Sequence, residues 1–327
     1  MSYREFLGTK HPIVCLPMNR LSDINLAIAV SKAGCLPSLA MSSYSNDWGK
    51  VFLDDKFRAD LSQLLKETGN CNVLLNMTDI FLILHHEKLF ELVKLFKVSH
   101  VEIMPYYGRR NQGENYSVEN YITHLLALRS LGVKIVIKCL SVPIEPVSIS
   151  LVNHGVVDGI IVKTSNGAGT ISEAHPQLLP LIIKAKSMYP NVHIIGCGGI
   201  TNAIEIKNAI SVGATAVGLG TVFAMSKESR LCIENKVRLV FKKATDVQIL
   251  PRTGPKQNAV VFKNFPKQDD ENNTIGLEKG ITESGEGHIF VGKGIENINE
   301  ILSVAEIVDR LTKLDVGLTS GMNSIGG

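Results

Sequence analysis

The feature that most constrains this chain is an alternation. Eight short apolar runs, at 13–16, 36–40, 72–76, 100–104, 134–138, 158–162, 193–196 and 216–219, are separated by longer stretches with helical periodicity. The helical stretches include 23–33, 56–67, 84–97, 119–131, 177–188 and 203–212, and several end at a glycine, as a helix stop should. A short apolar run without polar alternation suits a strand buried on both faces, as in a parallel sheet covered by helices. Eight strands, each followed by a helix, give the count of an α/β protein of the (β/α)8 TIM-barrel class.

Length and composition agree with one large domain. A chain of 327 residues that is 45% hydrophobic and 20% charged can bury a sizeable core. Its 34 basic and 31 acidic residues leave a formal charge of only +3, so no nucleic-acid surface is expected. Lys242–Lys243, with Arg238 before them, read as a solvated helix face. The six cysteines form no C-x-x-C pair and have no His-spaced partner, which argues against both a zinc site and a disulfide framework. The N-terminal segment MSYREFLGTKHP lacks a signal-peptide pattern and no apolar run reaches membrane-spanning length, so a cytoplasmic protein without membrane partners is expected. Residues 1–314 form the expected domain, with a polar loop or lid at 251–287 after the eighth strand and a closing C-terminal helix. The Gly- and Ser-rich residues 315–327 read as a flexible tail.

Glycines locate the site. In a barrel of this class the active site lies at the C-terminal ends of the strands, and the loops after strands seven and eight often hold a phosphate. The segment IIGCGGIT (194–201) ends the seventh run in Gly198–Gly199, and the eighth run ends in Gly218-Leu219-Gly220-Thr221. Glycines let backbone N–H groups close on phosphate oxygens, and the Thr221 hydroxyl adds a donor. The competing reading is that both glycine sites only make tight strand-to-helix turns.

The segment IIGCGGITNAIEIKNAISVGATAVGLGTVFAMSKES resembles the phosphate-binding part of the nitronate monooxygenase family, formerly called 2-nitropropane dioxygenases, which includes FMN-dependent enoyl-acyl-carrier-protein reductases. HPIVCLPMNRLSDINLAIAVSKAGCLPSLAM, CNVLLN, DGIIVKTSNGAGT and HIFVGKGIENINEILSVAEIVDRL are similar to other parts of that family. The likeness extends to about residue 314 and is least at 46–71, in the fourth loop and at 251–287. It implies an FMN-dependent oxidoreductase. Met18 and its neighbours would pack under the isoalloxazine, Asn76 would bond the ring edge, and Gly169, Gly198, Gly199, Gly218, Leu219, Gly220 and Thr221 would contact the cofactor. Lys138 would either place positive charge near the flavin, favouring its anionic reduced form, or pair with a carboxylate such as Glu102. Lys163 stands where the family usually carries Gln.

The catalytic group is where the chain departs from the resemblance. Many members end the loop after strand six in Gly-Gly-His, and here Thr170 takes the place of that His, where its hydroxyl can hydrogen-bond substrate but cannot accept a proton near neutrality. His175, five residues on, is the candidate substitute, against a capping or surface role. His288 follows the polar excursion and could approach with a lid or lie exposed. Tyr106, Tyr107, Arg109 and Arg110 follow the fourth strand and could contact an anionic substrate or form a solvated loop. The pair His85–His86 on a helix cannot share a metal from one face. Cys15, Cys139 and Cys197 fall near strand ends as small core residues.

The activity implied is oxidation of an alkyl nitronate by O2 to a carbonyl compound and nitrite. The partners are then a small anionic substrate and O2, in a monomer or a homodimer. The alternatives are NAD(P)H-dependent reduction of an enoyl thioester through FMN, and a non-catalytic flavin- or phosphate-binding barrel.

Overall fold

All eight apolar runs pair into one parallel sheet in the computed structural model, which describes residues 2–44, 55–104, 118–139, 142, 144, 146–171, 174–250, 257–262 and 270–313. The first half of the chain runs α1 (Tyr3–Leu7), β1 (Ile13–Cys15), α2 (Ile24–Lys32), β2 (Ser38–Ala40), α3 (Asp55–Thr68), β3 (Leu74–Thr78), α4 (Asp79–Phe96), β4 (His100–Met104), α5 (Val118–Ser130) and β5 (Lys134–Cys139). It continues through α6 (Pro146–Asn153), β6 (Gly159–Lys163), β7 (Gly169–Thr170), α7 (Leu178–Met188), β8 (His193–Cys197), α8 (Ala203–Ser211), β9 (Ala216–Leu219), α9 (Thr221–Ala224) and α10 (Ile233–Val240). The last elements are β10 (Gln248–Leu250), β11 (Gln257–Val261), α11 (Asp270–Thr282), β12 (His288–Ile289) and α12 (Val304–Thr312).

The strand order β1-β9-β8-β6-β5-β4-β3-β2 closes through a bridge between Val14 and Leu36, where the Cys15 amide donates to the Leu36 carbonyl at 2.8 Å. This is the expected (β/α)8 barrel. β6 shows why its strands read as unbroken apolar runs: every residue of Gly159–Lys163 is buried, because one face meets the barrel interior and the other the helices. Local signals set the helix starts. Asn202 and Glu205 form a reciprocal capping box at α8, and Ser303 and Glu306 form another at α12.

Inside the barrel, Val14, Leu74, Val136, Ile161 and Ile195 pack together in one layer. Phe6 from α1 fills the N-terminal end, stacked on His193 at 4.2 Å between ring centroids and edge-on to His100 at 5.7 Å. Because side chains alternate along a strand, the residues two positions beyond that layer face the same axis nearer the C-terminal ends. They are Leu16, Asn76, Lys138, Lys163 and Cys197.

Several boundaries shift. The third strand begins at Leu74 rather than at residue 72, and the helix expected from residue 84 begins at Asp79, where the Thr78 hydroxyl accepts from the Phe81 amide. Thr78 is at once the last strand residue and the helix cap, so no separate capping residue marks the start of α4. The larger difference is in the excursion expected as a loop at 251–287. Its described residues carry β11 and α11, and β11 joins β10, β12 and β7 in a small antiparallel sheet. Leu277 and Ile281 of α11 pack with Val260 and Ile289 in a buried cluster, so a few apolar residues at helical and strand spacing order this polar stretch. The tail expected at residues 315–327 lies outside the described residues.

Candidate functional site

A cleft opens where the C-terminal ends of β1, β5, β6, β8 and β9 meet, enclosing about 550 Å³ of space open to solvent. Its floor is charged. Lys138 is the penultimate residue of β5 and Lys163 ends β6, and both line the cleft beside Cys197. Behind them Glu102 of β4 is fully buried; its Oε1 accepts from Asn76 Nδ2 at 3.1 Å and lies 3.4 Å from Lys138 Nζ. Its second oxygen, Oε2, has no hydrogen-bond partner among the described residues. Lys138 therefore both pairs with Glu102 and faces the cleft.

Among the described residues, two lysines at the cleft share this one carboxylate. Lys163 is 6% exposed and donates to the Ala168 carbonyl, a neutral partner. Burial first, and repulsion from Lys138 second, pull its ammonium down to about 7, against the opposing pull of Cys197 and Glu102. Burial likewise pushes the Cys197 thiol up to about 11, only partly offset by Lys163 and Lys138, so it is an unreactive wall of the cleft at neutral pH.

The rim is backbone. Gly198 and Gly199 have φ of +114° and +86°, and a Cβ at Gly198 would stand 2.2 Å from Thr164 Oγ1. Only glycine fits that position without displacing the buried Thr164, whose hydroxyl donates to the Gly198 carbonyl at 3.3 Å. On the opposite rim, Gly218, Leu219, Gly220 and Thr221 line the cleft, and Thr221 Oγ1 accepts from the Gly292 amide at 3.0 Å. That bond leaves the hydroxyl proton free to donate. The start of α8 is already occupied, since Glu205 Oε2 accepts from the amides of Thr201 and Asn202 at 2.6 and 3.2 Å. An anion is thus directed to the two glycine rims rather than to that carboxylate-capped helix end. Glycine amides, a free hydroxyl proton and an uncompensated cation fit a phosphate-bearing anion.

Not every candidate from the sequence reaches the cleft. Met18, Lys138, Lys163, Gly198, Gly199 and the 218–221 segment line it, whereas Asn76 holds Glu102 from behind. Gly169 and Thr170 form β7, paired with Asn258 and Gln257 of β11, and Gln257 Nε2 donates to Thr170 Oγ1 at 3.5 Å. The His175 imidazole accepts from the Val142 amide through Nε2 at 3.3 Å, and its carbonyl accepts from the Ser165 amide at 2.9 Å. It clasps the loops after β5 and β6 away from the cleft lining, and burial and then Lys184 hold it below the ordinary imidazole range. His288 is fully buried in β12, edge-on to Phe290 at 5.1 Å, rather than exposed or mobile with a lid. Tyr106, Tyr107, Arg109 and Arg110 lie outside the described residues. Among those residues no cluster of metal-ligating side chains occurs, and no helix is long and apolar enough to cross a membrane.

Two contributors were missed in the sequence. Asn258 is buried and its Nδ2 donates to the Ser165 and Gly167 carbonyls at 2.7 and 2.8 Å, fixing the glycine-rich loop. Nothing marks an Asn inside a polar stretch for this role. Gly292 also lines the cleft, and a Cβ there would lie 2.4 Å from the Asn166 carbonyl oxygen. Its signal was the paired glycines of VGKG.

Fold and cleft together define a (β/α)8 barrel with a glycine-rimmed cleft at the ends of β8 and β9. The sequence model of the nitronate monooxygenase family matches residues 148–313, just over half of the 327-residue chain. The chain belongs to that family, a family of flavin-dependent oxidoreductases whose cofactor is FMN. Among curated protein sequences, none matches it. Among solved structures it is similar to FabK from Thermotoga maritima, with a TM-score of 0.75, 21% identity, and 94% of this chain and 93% of that chain covered. It is also similar to nitroalkane oxidase from Streptomyces ansochromogenes, with a TM-score of 0.68, 17% identity, and coverage of 94% and 96%. A third likeness is to the enoyl reductase domain of MlnA from the macrolactin biosynthesis cluster of Bacillus amyloliquefaciens, with a TM-score of 0.67, 14% identity, and 95% of each chain covered.

Proposed function

We propose that this protein oxidises small anionic substrates of the alkyl nitronate class with O2, yielding a carbonyl compound and nitrite. The observation that carries the reading is the pair of lysines at the cleft floor: Lys138, held by Glu102, faces it as a cation, with Lys163 beside it. An anion is drawn to such a site, and a nitronate has already lost its carbon-bound proton. The arrangement at Thr170 and His175 fits this choice, since neither side chain lines the cleft as a base. FMN, when bound, supplies the electron acceptor for the substrate and the route of electrons to O2.

The chain's residues have three tasks. The amides of Gly199, Gly220 and Thr221 and the Thr221 hydroxyl would hold the phosphate, and Met18 and Leu16 give an apolar wall for the ring. Lys138, fixed by Glu102 and through it by Asn76, presents a positive charge whose direction is set by a buried ion pair. Asn258 holds the loop at 165–167 over Lys163 and keeps water from that side.

A second reading is reduction of an enoyl thioester by NAD(P)H, supported by the likeness of the whole barrel to the FabK and MlnA enoyl reductase structures. Anaerobic addition of propyl-2-nitronate and of NADPH to separate samples of the flavin-loaded protein distinguishes the readings. Loss of the long-wavelength flavin band on adding nitronate is expected. Loss only with NADPH would select the enoyl reductase, and rapid turnover of neutral nitroethane would contradict a cleft that works without a base.

A further inference from the structure

Lys163 lies in an unusual position for a cation. Its aliphatic stem is covered by its own loop, since a Cβ at Gly167 would lie 2.6 Å from Lys163 Cε, and its Nζ reaches the neutral Ala168 carbonyl. The titratable groups facing it are Lys138 on β5, Glu102 on β4 and Cys197 on β8. Glu102 is engaged by Lys138 and Asn76. Lys163 is thus a buried amine that, among the described residues, has no carboxylate of its own, at the wall of a glycine-rimmed cleft.

A buried amine without a counter-ion favours its neutral form, and an arriving anion reverses that preference. We propose that Lys163 takes up a proton from solvent when FMN enters the cleft and then serves as the cofactor's buried counter-cation, so that cofactor binding is coupled to protonation. This rests on the cleft being the FMN site. The balance is simple: the phosphate dianion and the neutral amine enter, one proton is drawn from buffer, and no covalent bond changes. Cys197 does not compete, because its thiol, pushed up to about 11, stays protonated throughout the neutral range. The lysine itself, drawn down to about 7 before the anion arrives, has its proton to gain just above neutrality.

The test is calorimetric titration of FMN into apo-protein at pH 8, in two buffers of different ionisation enthalpy. At that pH a phosphate monoester is already dianionic, its second pKa being about 6, so protons exchanged belong to the protein. Wild type is expected to take up about 0.9 proton per FMN, and its Kd to rise roughly 15-fold from pH 7 to 8.5. Lys163→Arg, which is charged before binding, should bind without uptake and with a flat pH dependence. Lys163→Gln should also show no uptake, and if it fails to fold, wild type against Lys163→Arg still decides. Equal uptake in wild type and Lys163→Arg, or wild-type binding with no uptake and constant affinity, would overturn the proposal while leaving the cofactor site intact. Wild type that binds no FMN at either pH would overturn both.

Discussion

Replacing Gly198 and Gly220 separately by alanine should separate folding from cofactor binding at the two rims. At Gly198 the backbone φ of +114° is strained for any residue with a Cβ, at about 1–3 kcal/mol. The new Cβ would also lie 2.2 Å from Thr164 Oγ1, a fully buried atom that can move only by giving up its bond to the Gly198 carbonyl. That loss adds about 1 kcal/mol, so Gly198→Ala is predicted to destabilise the apo-protein by about 2–4 kcal/mol. At Gly220 φ and ψ are −117° and −72°, and a Cβ would meet only Met18 Sδ at 3.9 Å, an ordinary contact. Gly220→Ala should change apo stability by under about 1 kcal/mol, yet its methyl would crowd the cleft wall and weaken FMN binding about tenfold or more. Urea unfolding of both apo-proteins, followed by FMN titration, measures the two effects. Gly198→Ala as stable as wild type, or Gly220→Ala equally destabilised, would refute the reasoning.

Two further predictions concern the barrel ends. His100 is buried, donates from Nε2 to the Phe6 carbonyl at 2.9 Å, and is pushed down to about 4 chiefly by burial. Between that value and its unfolded value near 6.5 the unfolded chain binds the extra proton, so this contribution is intact above about pH 6.5 and falls as pH is lowered toward 4, by about 3 kcal/mol. Unfolding free energies from urea titrations should fall by about 3 kcal/mol more in wild type than in His100→Gln between pH 7 and pH 4; parallel pH profiles would contradict it. Asn258→Ala removes the donor shared by the Ser165 and Gly167 carbonyls and should cost about 2 kcal/mol, with faster hydrogen exchange across residues 164–170. Unchanged exchange there would show that β7 and β11 hold the loop without it.

The barrel was legible because each strand is apolar on both faces and short, a pattern that survives without any knowledge of its neighbours. The inward face of the cleft was partly legible by the same alternation: Val136 and Lys138, Ile161 and Lys163, and Ile195 and Cys197 are each two residues apart on one strand. What sequence could not supply was pairing across the chain. The pairing of Lys138 with Glu102 was one of the two readings of that lysine, but only the strand register shows that Asn76 shares the carboxylate. β7 and β11 are separated by the last two strands of the barrel, so Thr170 reads as a loop residue until Gln257, 87 residues on, is seen opposite it. The excursion at 251–287 is polar on average, and the few apolar residues that dock it, Val260, Leu277 and Ile281, do not dominate its composition. His175 could be read as catalytic or as a capping or surface residue because its partner, the Val142 amide, belongs to another loop.

The most direct measurement is a crystal structure of the protein grown with FMN. The account predicts the phosphate between Gly198–Gly199 and Gly220–Thr221, with the Thr221 hydroxyl donating to it and the ring beside Met18 and the two lysines. Flavin bound elsewhere on the barrel, or a cleft that stays free of it at saturating FMN, would contradict that assignment and the chemistry built on it.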